Sequence, residues 1–63
     1  MVKDLRFKFA RQLAGYTQQA LAKAAGCQES LIARIESGRT RPDPATAERI
    51  ANALGKRPLE IGI

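Results

Sequence analysis

The chain has 63 residues and carries eleven Lys and Arg against six Asp and Glu, a formal net charge of +5. At this length it is read as one domain, 1–63, with a small core that buries only about 60% of the surface of its unfolded form. One cysteine and no histidine exclude an internal disulfide, a zinc site and any Cys–His or Ser–His catalytic pair. With no phosphate loop and no length for a cleft, neither an enzyme nor a bound cofactor or metal is expected.

The excess of positive charge suits a polyanionic partner, either nucleic acid or an anionic membrane surface. The bland alternative is a basic protein with a solvated face. No apolar run is long enough for a membrane span and no signal-peptide core is visible, so the expected location is the cytoplasm.

Gly and Pro punctuate the chain into short helical pieces. The first helix is expected from about Lys3 to Ala14, stopped by Gly15. The second opens at Thr17, a good N-cap, and runs from Gln18 to about Ala25. Gly26 then suits a left-handed turn. A third helix follows from about Gln28 to Glu36, closed by Ser37-Gly38. After a basic loop, Arg39-Thr40-Arg41-Pro42, the pair Asp43-Pro44 supplies an N-cap and a first-turn proline for a fourth helix. Its stripe is Ala47, Ile50, Ala51 and Leu54, at helical spacing, and Gly55 ends it. Pro58 begins a last short turn carrying Leu59 and Ile61. No stretch alternates as a strand would, except at most the final residues, so the fold class is all-α.

The informative stretch is residues 17–38, TQQALAKAAGCQESLIARIESG. Apolar or small residues at Leu21, Ala22, Ala25, Cys27, Ile32 and Ile35 face one another across two helices joined at Gly26. Ala22 is small where the helices would cross. A small crossing residue, a permissive turn and an apolar seam are what a helix-turn-helix requires. Gln28, Glu29, Ser30 and Arg34 fall outside the seam, with Ala33 beside them. In a major groove Arg can bond guanine, Gln suits adenine and Glu can accept from cytosine; a merely solvated helix face is the alternative. Cys27 reads as a small seam residue. A redox thiol there would need exposure and an electropositive setting.

These residues resemble the lambda-repressor-like helix-turn-helix family, the Cro and Xre type of bacterial and phage regulator. The likeness rests on Arg11, Thr17-Gln18 with Leu21-Ala22, Gly26, and Ile32 with Arg34-Ile35-Glu36. Gly38, Pro42, Ile50-Ala51 and Ala53-Leu54-Gly55 complete it. It spans about residues 5 to 60. The resemblance implies a compact five-helix domain with the third helix in the major groove of double-stranded DNA. It implies base contacts from Gln28, Glu29, Ser30, Ala33 and Arg34, and phosphate contacts from Thr17 and Gln18 at a helix N-terminus. Ser37, Arg39, Thr40 and Arg41 correspond to a second backbone clamp. It further implies an ion pair between Arg11 and Glu36. Two residues depart from the pattern. Glu29 puts a negative charge in the reading face, and Ala33 can reach no more than a thymine methyl.

The first helix carries two apolar faces. Phe7, Ala10 and Ala14 lie with Arg11 on one side, and the family register turns Phe7, Arg11 and Ala14 inward. Leu5, Phe9 and Leu13 lie opposite. Either they form a protein interface, or Val2, Leu59, Ile61 or Ile63 folds back over them. The C-terminal PLEIGI, through Leu59 and Ile61, is a candidate self-association element, as a short helix or as a strand paired with a second copy. The leading expectation is a transcriptional regulator associated with the nucleoid, a repressor binding an inverted repeat as a homodimer. The alternative is an antitoxin or adaptor that engages a second protein partner through the stripe on the first helix.

Overall fold

A computed structural model describes residues 4–63. Four α-helices are followed by a single 3-10 turn: α1 (Arg6–Leu13), α2 (Gln18–Ala25), α3 (Glu29–Glu36), α4 (Pro44–Ala53) and the C-terminal turn (Pro58–Ile61). There is no strand among the described residues. The fifth helix expected from the family likeness is therefore one tight turn. Pro58 starts it without needing an amide partner, the Arg57 amide donates to Glu60 Oε1 at 2.9 Å, and Gly62 at φ +74° ends it.

Local chemistry sets each boundary. Lys3, where the first helix was expected to begin, lies outside the described residues; α1 begins at Arg6, whose amide donates to Asp4 Oδ1 at 3.0 Å. The Thr17 hydroxyl accepts from the Ala20 amide at 3.0 Å and starts α2. Replacing such a cap by Ala costs about 1 kcal/mol. Gly26, at φ +72°, turns the chain out of α2 in the left-handed conformation that L side chains resist. Gln28 precedes α3 as its N-cap residue in extended conformation and is not its first helical residue. Asp43 caps α4 through both the amide and the hydroxyl of Thr46, with Pro44 at the first turn.

α2 packs against both α3 and α4, and the C-terminal turn packs against α1 and α4. Leu21, Ile32 and Ile50 are the large side chains wholly removed from solvent. Each belongs to a different helix, and burial of each contributes about 1.5–3 kcal/mol. Around them lie Phe7, Ala22, Ala25, Ile35, Ala51, Leu54 and Ile61. The small residues Ala22 and Ala25 let α2 come close to its neighbours, as a crossing requires. All four residues of the α4 stripe, Ala47, Ile50, Ala51 and Leu54, are buried.

The two faces of α1 separate. Phe7 and Arg11 are buried and Ala10 is half-buried. Ala14, expected to face inward, is exposed, because it sits at the helix C-cap beyond the reach of the core. Leu5, Phe9 and Leu13 are 37%, 52% and 89% exposed. Of the residues that could fold back over them, Ile61 is drawn into the core, Ile63 packs at its edge and Leu59 stays 85% exposed. Val2 lies outside the described residues.

Candidate nucleic-acid interface

α3 is divided lengthwise. Ile32, Ile35 and Glu36 are buried and Leu31 is half-buried, while Gln28, Glu29, Ser30 and Arg34 are exposed and Ala33 is half-buried. The buried half fixes the helix against α2, so the exposed half is presented by a rigid element. On that half the Ser30 hydroxyl lies 3.5 Å from Gln28 Oε1, at the limit of a hydrogen bond. Glu29 sits in the first turn, where the helix dipole favours an anion.

Two polar segments flank this face. At the start of α2, the Thr17 oxygen accepts from within the helix, leaving its hydroxyl proton free for an outside acceptor. The first-turn amides of a helix likewise lack internal partners and suit an anion. Beyond the far end of α3 come Arg39 and Arg41, both exposed, with Thr40 half-buried between them. Ser37 donates its hydroxyl proton to the Arg34 carbonyl at 3.0 Å. That residue closes the helix and does not offer a free donor.

A buried polar cluster ties the helices together behind this surface. Arg11 Nε donates to Glu36 Oε2 at 2.5 Å and Nη2 donates to Oε1 at 3.2 Å. Arg11 Nη1 donates to the Tyr16 carbonyl at 2.8 Å. Gln18 Nε2 donates to Glu36 Oε1 at 3.1 Å. Arg11 and Glu36 are each 8% exposed. The cluster thus joins α1, the loop before α2, the first residue of α2 and the last of α3. It fixes the end of α3 relative to the start of α2.

A family model described as "Helix-turn-helix" matches residues 7–61. The chain belongs to this family, the Cro/Xre-like helix-turn-helix proteins. Over 49 residues it is 39% identical to YazB of Bacillus subtilis (strain 168), which is named an uncharacterised HTH-type transcriptional regulator; the match spans 78% of this chain and 71% of that protein. Over 50 residues it is 40% identical to an uncharacterised HTH-type transcriptional regulator of Methanothermobacter thermautotrophicus, spanning 79% of this chain and 72% of that protein. No solved structure matches the chain significantly.

Within the helix-turn-helix, formed by α2 and α3, the structure adds contacts that spacing does not show. One of the two amide protons of Gln18 is committed to Glu36, so this side chain is a structural strut as well as a surface group. Arg49, on α4, donates through Nε to the carbonyl of Ala25 at the last residue of α2, at 3.0 Å. Neither contact has a period or a motif that would reveal it. Cys27, next to that carbonyl, is half-buried against the core. Burial pushes its thiol above the ordinary range while the charge of Arg49 opposes the shift, so the thiolate that redox sensing needs is disfavoured.

Proposed function

We propose that this chain is a sequence-specific regulator of transcription that binds double-stranded DNA with α3 in the major groove. The observation that carries the reading is the split character of α3, one half buried in the seam and the other presenting Gln28, Glu29, Ser30 and Arg34. Arg34 is assigned to bidentate bonding of guanine, Gln28 to adenine and Glu29 to a cytosine amine. Ala33 is assigned to contact with a thymine methyl. Thr17 and Gln18 at the start of α2, and Arg39, Thr40 and Arg41 after α3, are assigned to phosphate. Ser37 stands with the second group only as the residue that shapes it.

The same reading makes the protein a repressor that occupies its operator as a homodimer, working in the cytoplasm at the nucleoid. A single module of this kind buries about 600–1,000 Å² on DNA, a modest area; two copies on a two-fold axis would read half-sites about one helical turn apart. The face formed by α1 and the C-terminal turn supports self-association. It carries Phe9, Leu13 and Leu59 in the open. Phe9 and Leu13 line a groove of about 290 Å³ rimmed by Arg6, Lys56 and Glu60. Apolar projections, an apolar recess and charges of both signs on one patch are what a self-complementary contact needs.

The test is binding of the purified protein to its own upstream DNA across a salt series, with the footprint measured. Affinity should fall steeply with salt, and the footprint should cover about 20 base pairs, two half-sites about one turn apart. Arg34→Ala should weaken binding and relax preference at one position of each half-site. Salt-independent binding, or an unchanged preference in Arg34→Ala, overturns the reading. Binding with a footprint of about half that length overturns the dimer alone. The exposed stripe of α1 also suits a second protein, as in an antitoxin or adaptor. Co-purification of a stoichiometric partner, lost in Phe9→Asp with folding intact, would favour that reading.

A further inference from the structure

Arg49 is an exposed residue on the middle of α4, outside every segment assigned to DNA above. Its guanidinium points back into the molecule. Nε donates to the Ala25 carbonyl at 3.0 Å and Nη2 donates to Thr46 Oγ1 at 3.4 Å. Thr46 is itself buried and passes its hydroxyl proton to Asp43 Oδ1 at 2.5 Å. Asp43 directly follows the basic loop Arg39-Thr40-Arg41-Pro42. A continuous relay therefore runs from the end of that loop, through α4, to the carbonyl at which α2 stops and the turn into α3 begins.

The two ends of the relay are places where the backbone most needs a partner. The last carbonyls of a helix have no amide to pair with and carry the negative end of its dipole. A guanidinium placed there satisfies both demands, with a planar fork that can serve two acceptors at once. The Ala25 carbonyl is followed by Gly26 in the left-handed conformation and by Cys27, whose amide returns to the Ala22 carbonyl at 2.9 Å. One residue later Gln28 opens α3. Holding the Ala25 carbonyl therefore holds the turn from which α3 departs, in addition to the seam and the Arg11–Glu36–Gln18 cluster that fix the helix elsewhere.

We propose that Arg49 is a positioning residue for DNA recognition: through Thr46 and Ala25 it holds the turn before α3 and the basic loop after it in one register, without touching DNA itself. The inference rests on the proposed DNA-binding function and adds a residue that function does not require. Its rival is that Arg49 is one more cation facing phosphate. Salt dependence separates the two. Loss of a phosphate contact lowers the salt slope by about 1, whereas a misplaced reading face weakens binding with the number of released counterions unchanged.

The experiment compares the whole chain with Arg49→Met and Thr46→Val, binding upstream DNA at several salt concentrations and a temperature at which each variant is folded. Both variants should bind about tenfold more weakly, the effect of losing a charge-assisted hydrogen bond. The salt slope should not change, and the double variant should lose little more than either single one. Amide exchange of free protein should quicken at Gly26 and Cys27 and stay unchanged at Ile50 and Ala51. Thr46→Val removes no charge, so it carries the test if Arg49→Met fails to fold. A lowered slope in Arg49→Met with Thr46→Val unaffected overturns the proposal in favour of a phosphate contact. Wild-type affinity in both variants, or unchanged exchange at the turn, overturns it outright. If the wild-type chain binds no DNA, the functional reading fails by that result, and the exchange experiment alone decides whether Arg49 holds the turn.

Discussion

Replacing Arg11 with Met should remove most of the stability of this protein. The guanidinium makes two hydrogen bonds to Glu36 and one to the Tyr16 carbonyl, and both charged residues are 8% exposed. Met fills a similar volume but leaves the Glu36 carboxylate buried with only the Gln18 amide to hold it. Breaking one side of such a pair typically costs about 3–5 kcal/mol, because the remaining charge has lost both water and partner. The scale of the whole is set by the per-residue stability of native proteins, which for 63 residues gives about 3–9 kcal/mol. A single substitution is thus set against most of the total. Urea denaturation followed by circular dichroism measures it, and the melting temperature should drop by at least about 12 °C. The pair itself need not stabilise the fold relative to an apolar replacement, since both ions were desolvated to make it. Arg11→Leu combined with Glu36→Leu should therefore be more stable than Arg11→Met alone. It should still fall short of the wild type, because the Tyr16 carbonyl and Gln18 lose partners. A cost below about 1 kcal/mol for Arg11→Met, the range of exposed pairs, would refute the argument that burial governs this interaction.

Three further outcomes are expected. The Asp43 carboxyl is held below its usual range, chiefly by the Thr46 hydroxyl, so its contribution is present above the unfolded value near pH 4 and is lost as pH falls through the lower folded value. Asp43→Asn keeps an N-cap acceptor but cannot titrate, so its melting temperature should fall less than that of the wild type below about pH 4; parallel profiles would refute this. A Cβ at Gly62 would lie 2.6 Å from Asp4 Oδ2 on a backbone at φ +74°. Gly62→Ala should destabilise the C-terminal turn and raise the Asp4 pKa from about 2 as its pairing with Arg6 is disturbed, which carboxylate NMR titration would report. Leu13→Asp or Leu59→Asp should shift a dimer toward monomer in sedimentation without lowering the melting temperature of the monomer, since both side chains are already exposed.

Much of the fold was legible because burial and helical period go together. The α4 stripe, the seam of α2 and α3 and the caps at Thr17 and Asp43 could be read directly, since each depends on residue type at fixed spacing. The first helix was harder. Both of its faces are apolar, so period alone could not choose between Phe7 and Phe9. The decision came from outside the helix, when Arg11 was drawn to Glu36 and turned Phe7 inward with it. Ala14 went the other way because the helix ends before it. Leu31 was passed over among the seam residues although it packs at the edge of the core.

The surface of α3 was legible for a related reason: once Ile32 and Ile35 are assigned to the seam, the remaining positions have to face outward. What the sequence could not show is how its polar groups divide between solvent and structure. Gln18 and Arg49 both look like surface residues by type, and each donates a proton to a group on another helix. Hydrogen bonds of this kind depend on where distant helix ends fall, as with Arg49 and Ala25, and residue spacing does not encode that distance. The count of eleven Lys and Arg therefore overstates the cations free to meet a phosphate backbone. Arg6 is paired with Asp4, Arg11 with Glu36, and Arg49 is occupied with a carbonyl and a hydroxyl. On the proposed reading the charged phosphate contacts are Arg39 and Arg41, so a salt slope matching these few charges, and not the whole positive complement, is the expected signature of the complex.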